Sequence, residues 1–128
     1  MTKIDNIVPK NKEDIDFIKN LKKKQIYEIK DFIPELLEWT QDGNWPQARL
    51  IIDYLLPHVN EIDSELVKIL NGNDSTWKYW ILLGLINNSE TKPSDKILTI
   101  VYDLYHNPSI EDKEEEIDSI AQEIIEKW

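Results

Sequence analysis

Apolar residues recur along most of the chain at the three-to-four-residue spacing of helices, and no segment alternates apolar and polar residues as a strand does. The most apolar stretch, residues 79–86, lies inside a predicted helix over residues 75–88 and has no polar side-chain group except the Tyr79 hydroxyl. A helix that is apolar on all sides is buried in protein or in lipid, and a bilayer span needs about 20 such residues. We therefore predict that this helix lies at the centre of a protein core.

The N-terminal part of the chain predicts two short elements. Residues 1–11 predict an extended lead-in, because they contain a proline and several small polar residues. The spacing of Ile15, Ile18 and Leu21 predicts an amphipathic helix over residues 12–21. Lysines gather at the C-terminal end of this helix, where the helix dipole favours positive charge.

The rest of the chain predicts three helical hairpins. Pro46 suits the first turn of a helix, and Gly43 is placed to stop the helix before it. The short connection between these two helices requires them to run antiparallel. The same pattern repeats, so that the hairpins are predicted at about 33–56, 61–88 and 95–127.

The starts of the later helices carry capping side chains. Asp74 or Ser75 is expected to cap the central helix. Ser109 with Asp112 resembles a capping box, in which two residues three apart satisfy each other's backbone N–H groups.

Stacked hairpins of this length predict an all-α fold, a short α-solenoid in which each hairpin buries its apolar face against its neighbours. The competing architecture is a plain globular bundle. Stacking is favoured because the most apolar helix is central, whereas the first and last helices are the most charged. In both architectures residues 1–128 form a single domain.

Composition and charge restrict the classes of function. The chain has 128 residues and no cysteine, which excludes disulfides, thiolate-bound zinc and cysteine nucleophiles and fits a reducing, cytoplasmic location. No secretion signal or membrane span is predicted. The net charge of −10 argues against a nucleic-acid partner, because phosphate binding depends on lysine and arginine.

The residue types that commonly carry chemistry are sparse. His58 and His106 have no second ligand or base adjacent in sequence, so we expect a structural or surface role for both. The acidic run at residues 114–116 lacks the glycine-turned loop of a calcium site, and a solvated helix face is the favoured interpretation. We predict no catalytic residue, no cofactor and no metal ligand, and hence no enzyme.

Four residues form the predicted partner-binding site. Arg49, the sole arginine, shares a predicted helix face with Trp45 and Asp53, and Trp77 occupies a similar position at another helix start. Exposed tryptophan and arginine are enriched in the hot spots of protein interfaces. The structural interpretation, which we favour for Arg49, is an intrahelical pair with Asp53 that contributes about 0.2–0.5 kcal/mol. Both tryptophans would then fill gaps between hairpins.

Several short motifs resemble one bacterial protein family. They are PELLEW at residues 34–39, DGNWP at 42–46, WKYWIL at 77–82, NP at 107–108, and VPKNKED at 8–14. Together they are similar to the domain of unknown function 5071 over nearly the whole chain. The resemblance implies a HEAT-like helical repeat and brings no catalytic residue.

The leading functional hypothesis is a non-enzymatic protein-interaction module. An acidic surface suits a basic protein partner, and one version is an inhibitor or immunity-type protein that masks a basic toxin or nuclease. The rival is a small-molecule-binding or enzymatic domain, in which Trp45, Arg49 and Trp77 line a pocket for an anionic ligand. A closed pocket with converging polar groups would favour the rival.

Overall fold

Every regular element in the computed structural model is helical over the described residues, 4–128, of which residues 4 and 5 are described by backbone alone. The all-α prediction is confirmed, and no strand occurs in this range. The chain divides into two compact units, Met1–Tyr54 and Leu55–Trp128. A single domain over residues 1–128 stays a prediction.

The first unit consists of short helices around an aliphatic core. Its 3₁₀ helices are Ile4–Ile7 and Ile26–Phe32, and its α-helices are α1 (Phe17–Leu21), α2 (Ile33–Glu38) and α3 (Pro46–Leu55), whose last residue is counted in the second unit. The least exposed large side chains are Ile7, Phe17, Leu21, Ile29, Leu36, Leu37 and Ile51.

The lead-in differs from the prediction. Residues 4–7 form a 3₁₀ helix instead of an extended segment, and residues 1–3 lie outside the described range. Ile7 and Val8 are buried, with exposures of 0% and 7%. The two apolar side chains tie this segment to the core of the first unit, which proline content alone does not indicate.

The predicted helix over residues 12–21 is shortened to α1. The Asp14 carboxylate accepts hydrogen bonds from the backbone N–H groups of Asp16 (3.1 Å) and Phe17 (3.2 Å), and also from that of Lys10 (3.0 Å). Aspartate side chains compete in this way with helical hydrogen bonds. Ile15 is therefore left 53% exposed instead of joining the core.

Gln47 fastens this turn to α3. Its side chain is fully buried, and its amide nitrogen donates to the backbone carbonyls of Lys12 and Asp14, both at 2.8 Å. A third, longer contact reaches the carbonyl of Asn11 at 3.5 Å. A glutamine at the start of an amphipathic helix gives no sequence signal for such a contact.

The α2–α3 connection is longer than the short one that the sequence predicts, because α2 ends at Glu38 and α3 starts only at Pro46. The Thr40 hydroxyl donates to the Leu37 carbonyl at 2.5 Å and so satisfies one of the carbonyl groups at the end of α2. Gly43, which was predicted to stop this helix, comes later in the chain. α3 begins at Pro46, as predicted.

The second unit is built from longer, amphipathic helices. It begins with the 3₁₀ turn Leu56–His58 and continues with α4 (Asp63–Leu70), α5 (Ser75–Ile81), α6 (Asp95–His106), α7 (Ile110–Glu114) and α8 (Ile117–Lys127). α6 packs against α4 and α8, and α5 contacts the same two helices. The apolar faces of these four helices together form the core of the unit.

The helix predicted to be central is buried on one side only, because Thr76 is exposed and Tyr79 and Trp80 are half-buried. Its first turn is capped by Asp74, whose carboxylate accepts from the Trp77 N–H at 3.0 Å. α5 continues into a π-helical turn, Leu82–Ile86, closed by a 2.8 Å bond from the Asn87 N–H to the Leu82 carbonyl. Leu82, Leu85 and Ile86 are fully buried. The helical run therefore ends at residue 86, two residues before the predicted end.

The last predicted helix is broken in two. Glu116 separates α7 from α8 and adopts a left-handed conformation, with φ of 60° and ψ of 30°. The break rotates α8 so that Ile117 and Ala121 are fully buried. No described helix has an apolar stretch long enough to cross a membrane.

Candidate functional site

A buried ion pair joins two helices that are far apart in sequence. The ammonium of Lys78, on α5, lies 3.1 Å and 3.3 Å from the two carboxylate oxygens of Asp112, on α7. The two residues are only 6% and 3% exposed. Lysine and aspartate are rarely buried to this extent unless they are paired.

Two serine hydroxyls form hydrogen bonds with Asp112, one with its carboxylate and one with its backbone N–H. The Ser75 hydroxyl donates to Asp112 Oδ1 at 2.6 Å, and the Asp112 N–H donates to the Ser109 hydroxyl at 3.0 Å. Burial by itself raises the pKa of Asp112, but the hydrogen bonds from Ser75 and Lys78 and the Lys78 charge outweigh it. The pKa of Asp112 is therefore lowered, and the carboxylate is ionised at neutral pH.

The pair of residues predicted as a capping box for α7 has a second role. Ser109 caps the helix as expected, and a hydrogen bond from the Ser109 backbone also helps to lower the pKa of Asp112. The same carboxylate accepts from Ser75 and Lys78, which sequence spacing does not indicate.

A cleft of about 470 Å³ opens beside this pair. Its walls come from the α4–α5 loop, the C-terminal half of α6 and the start of α7. The lining side chains are Leu70, Asn71, Gly72, Asn73, Lys78, Ile100, Asp103, Leu104, Asn107, Ser109, Glu111 and Asp112. The volume falls within the range of about 300–1,000 Å³ that is usual for ligand pockets.

The cleft combines an apolar wall with hydrogen-bond acceptors. Leu70, Ile100 and Leu104 supply the apolar part. The Asn107 amide donates to the Asp103 carboxylate at 3.2 Å, which orients one acidic group of the lining. Since Lys78 and Asp112 neutralise each other, the remaining charge in the cleft is that of Asp103 and Glu111.

An aromatic cluster lies on α6, on a different face of the helix from the cleft residues. The rings of Tyr102 and His106 stack with centroids 6.3 Å apart, and the Tyr105 ring meets His106 edge-on at 4.8 Å. Tyr102 and Tyr105 are 47% and 37% exposed. We call Tyr102, Tyr105 and His106 the α6 patch.

Three of the four predicted site residues lie in the first unit. Trp45 is half-buried, with its ring 5.9 Å from that of Trp39 in an edge-to-face contact and with the Lys12 ammonium 5.1 Å from its centroid. Arg49 and Asp53 are both exposed on α3. In the part of the chain that the structure describes, no ion pair joins them, so the favoured intrahelical pair does not form.

Trp77, the fourth predicted site residue, lies on α5 in the second unit and is half-buried. The predicted set is thus distributed over both units. That these four residues bind a partner stays a prediction.

The histidines are placed apart. His58 Nδ1 lies 2.7 Å from a Glu61 carboxylate oxygen, and His106 belongs to the α6 patch. Across residues 4–128, no three His, Cys, Asp or Glu side chains converge as metal ligands. The acidic side chains of residues 114–116 are exposed.

Sequence reasoning missed the ion pair and the cleft. The available signals were Lys78, a lysine beside the most apolar run of the chain, and Asp112, an aspartate at a position where a capping box usually has Glu or Gln. Neither signal identifies the other, because 34 residues separate them.

The sequence profile of a family described as Domain of unknown function (DUF5071) matches residues 7–125. The match covers nearly the whole chain and confirms the resemblance found in its motifs. No curated protein matches the chain.

Proposed function

We propose that this chain, which belongs to the DUF5071 family, is a non-enzymatic protein-interaction module that binds a basic protein partner through its second unit. The observation that carries the proposal is the charge of that unit together with its exposed aromatic rings. Residues 55–128 carry fifteen acidic and six basic side chains, a net charge of −9, whereas residues 1–54 carry ten and nine, a net charge of −1.

The concentration of charge favours a basic partner in two ways. Complementary charge accelerates the diffusional encounter, and it also rejects acidic competitors. Charge alone gives no anchor, and exposed aromatic groups supply one, because tyrosine is enriched at interface hot spots. The α6 patch provides two exposed tyrosines within the acidic unit.

The architecture within which we place this function is a short HEAT-like α-solenoid of helical hairpins. In the second unit, α4 contacts α5, and α6 contacts both α4 and α8, as neighbouring repeats of a solenoid would. We further propose a bacterial, cytoplasmic protein of inhibitor or immunity type that masks a basic toxin or nuclease. The absence of cysteine and the acidic charge support this version.

The test begins with the full chain immobilised and exposed to lysate of the native host. The recovered protein is then purified, and its affinity is measured against four forms of the chain. We expect a basic partner whose affinity falls as NaCl rises from about 0.1 M to about 1 M, because that change shortens the Debye length from about 10 Å to about 3 Å. Tyr102→Ala with Tyr105→Ala should weaken binding at least about tenfold.

The matched control is Tyr27→Ala, which removes a tyrosine that is 72% exposed in the first unit. Its affinity should stay within about twofold of the unaltered chain. Arg49→Ala tests the predicted Trp45–Arg49–Asp53 surface in the same assay. An acidic partner, a salt-independent affinity, or equal losses in the Tyr27 and Tyr102/Tyr105 variants would contradict the proposal.

A second candidate function is binding of a small anion by Trp45 and Arg49 in the first unit, without Trp77, which lies in the second. The observation that favours it is confined to the first unit: Lys12 stands over the Trp45 ring, and Arg49 is exposed without an Asp53 partner in the described chain. Inorganic phosphate should then raise the Tm of the unaltered chain and of Asp53→Ala, but not that of Arg49→Ala. Equal Tm shifts in all three would exclude this function.

A further inference from the structure

We propose that the cleft beside the Lys78–Asp112 pair receives an arginine side chain of the basic partner. The inference rests on the proposed function, which it deepens by naming the chemical group that the second unit recognises. It is carried by the cleft's size, its polar and apolar lining, and the charge that remains in it.

The cleft offers more acceptors than a single ammonium can use. Two acidic residues, Asp103 and Glu111, and three asparagines, Asn71, Asn73 and Asn107, belong to its lining, and each has at least one side-chain oxygen that can accept. A guanidinium carries five N–H donors in one plane and forms paired hydrogen bonds with carboxylates. Lysine has three donors on one atom and a stronger hold on its water shell, so arginine fits this acceptor set better.

The buried ion pair sets the sign of the charge that the cleft attracts. Without Asp112, the Lys78 ammonium would repel a cation from the cleft. At 3.1 Å and 3.3 Å from the Asp112 oxygens, its charge is neutralised, and the two carboxylates of Asp103 and Glu111 remain. The cleft therefore attracts cations and repels phosphate and carboxylate ligands.

The apolar wall matches the rest of the side chain. Leu70, Ile100 and Leu104 line the same cleft as the acceptors. Arginine has a three-carbon stem that buries favourably against apolar surface while its head group makes polar contacts. A small inorganic cation would leave this wall without a counterpart.

The α6 patch is a separate surface from the cleft. At 3.6 residues per turn, the cleft residues Ile100, Asp103, Leu104 and Asn107 share one face of α6, whereas the exposed rings lie on the nearly opposite face. The arginine contact therefore depends on the cleft alone, and the aromatic rings would contact a different part of the partner.

The experiment titrates the full, isotope-labelled chain with three blocked tripeptides, Gly-Arg-Gly, Gly-Lys-Gly and Gly-citrulline-Gly. The side-chain amide resonances of Asn71, Asn73 and Asn107 report on the cleft. We expect the arginine peptide to shift all three, the lysine peptide to bind more weakly, and the neutral citrulline peptide to leave them unchanged.

Two matched double variants distinguish binding by the cleft from a general attraction to the acidic second unit. Asp103→Asn with Glu111→Gln removes two charges from the cleft and should weaken binding of the arginine peptide by at least about tenfold. Glu90→Gln with Glu123→Gln removes two exposed charges of the same unit outside the cleft lining, and its affinity should stay within about twofold. Equal losses in both pairs, or equal shifts with arginine and citrulline, overturn the inference.

The outcome is distinguishable from failure of the proposed function, because the peptide titration needs no partner. If a basic partner binds and is weakened by the Tyr102/Tyr105 variant, while the cleft amides ignore the arginine peptide, the inference fails and the proposed function stands. If no basic partner exists, the proposed function fails, and with it the partner's arginine as the ligand of this cleft.

Discussion

At the scale of single residues, the pair Lys78–Asp112 decides how the second unit tolerates change. Both groups are buried with their counter-charge, and Asp112 also has hydrogen bonds with Ser75 and Ser109. Breaking such a pair leaves a buried, uncompensated charge, whereas replacing both members is often nearly neutral. Replacing one member of the pair should therefore cost more stability than the intact pair contributes to the free energy of unfolding.

Lys78→Met should therefore destabilise the chain by about 3–5 kcal/mol, because it strands the Asp112 carboxylate. Urea unfolding at pH 7 measures the free energy. The double variant with Asp112→Asn should lose less than the sum of the single variants, since a neutral amide needs no cation and can still accept from Ser75. Lys68→Met, at a lysine whose side chain is 73% exposed, should cost less than about 1 kcal/mol.

The pKa of Asp112 makes part of this stability depend on pH. Because the folded-state pKa is lower than the ordinary value of 3.8, the folded state binds this proton less readily than the unfolded state. The contribution is complete above pH 3.8 and declines as the pH falls below it, through the lower folded-state pKa. The unfolding free energies of the unaltered chain and of Asp112→Asn should accordingly converge in that acidic window.

The convergence is measured by urea unfolding from pH 7 to about pH 2.5. Glu123→Gln, at an exposed position, serves as the control and should show no convergence of this kind. A difference between the unaltered chain and Asp112→Asn that stays constant through the window would contradict the assigned direction of the pKa shift.

At the scale of elements, the most informative feature is the left-handed residue between α7 and α8. Glu116 has φ of 60°, a conformation that glycine adopts without steric strain. Glu116→Gly should stabilise the chain by about 0.5–1 kcal/mol, measured by urea unfolding. Glu116→Gln, which removes the charge but keeps the side chain, is the control, and equal stability of the two variants would contradict the argument.

Some helix boundaries could be predicted from the sequence, whereas the break between α7 and α8 could not. The start of α3 at Pro46 and the cap of α6 by Ser94, which accepts from the Ile97 N–H at 3.5 Å, follow from local chemistry and were predictable. The break at Glu116 was not, because a run of three glutamates fits a continuous helix equally well. The helix breaks there because Ile117 is buried against the rest of the unit, and such tertiary contacts are not visible in a local sequence pattern.

The candidate site shows this limit more strongly. Lys78 and Asp112 come together only because α5 and α7 are neighbours in the folded second unit. Helical periodicity fixes which face of a helix is apolar, but it does not specify which helix supplies the partner of a buried charge. Trp45 and Arg49 were visible in the sequence because composition alone marks them as unusual.

At the scale of the whole molecule, the net charge of −10 opposes the folded state through repulsion among acidic groups. Raising NaCl from about 0.01 M to about 0.1 M shortens the Debye length from about 30 Å to about 10 Å. The Tm of the chain should therefore rise with salt, as measured by thermal unfolding at pH 7.

Two triple variants test this expectation with opposite changes in charge. Replacing Glu114, Glu115 and Glu116 by glutamine removes three of the ten net negative charges and should reduce the rise in Tm. Replacing Lys22, Lys23 and Lys24 by glutamine adds three and should increase it. A rise that is the same in both variants would show that repulsion is not its cause.

The burial of Lys78 has a consequence for chemical labelling. Among the lysines that the structure describes, Lys78 alone is buried, and its amine is enclosed by protein and paired with a carboxylate. An acylating reagent can reach that nitrogen only after the second unit opens. The rate at which mass spectrometry finds Lys78 acylated, compared with the rate for the exposed lysines, therefore measures how often the native state opens around Lys78.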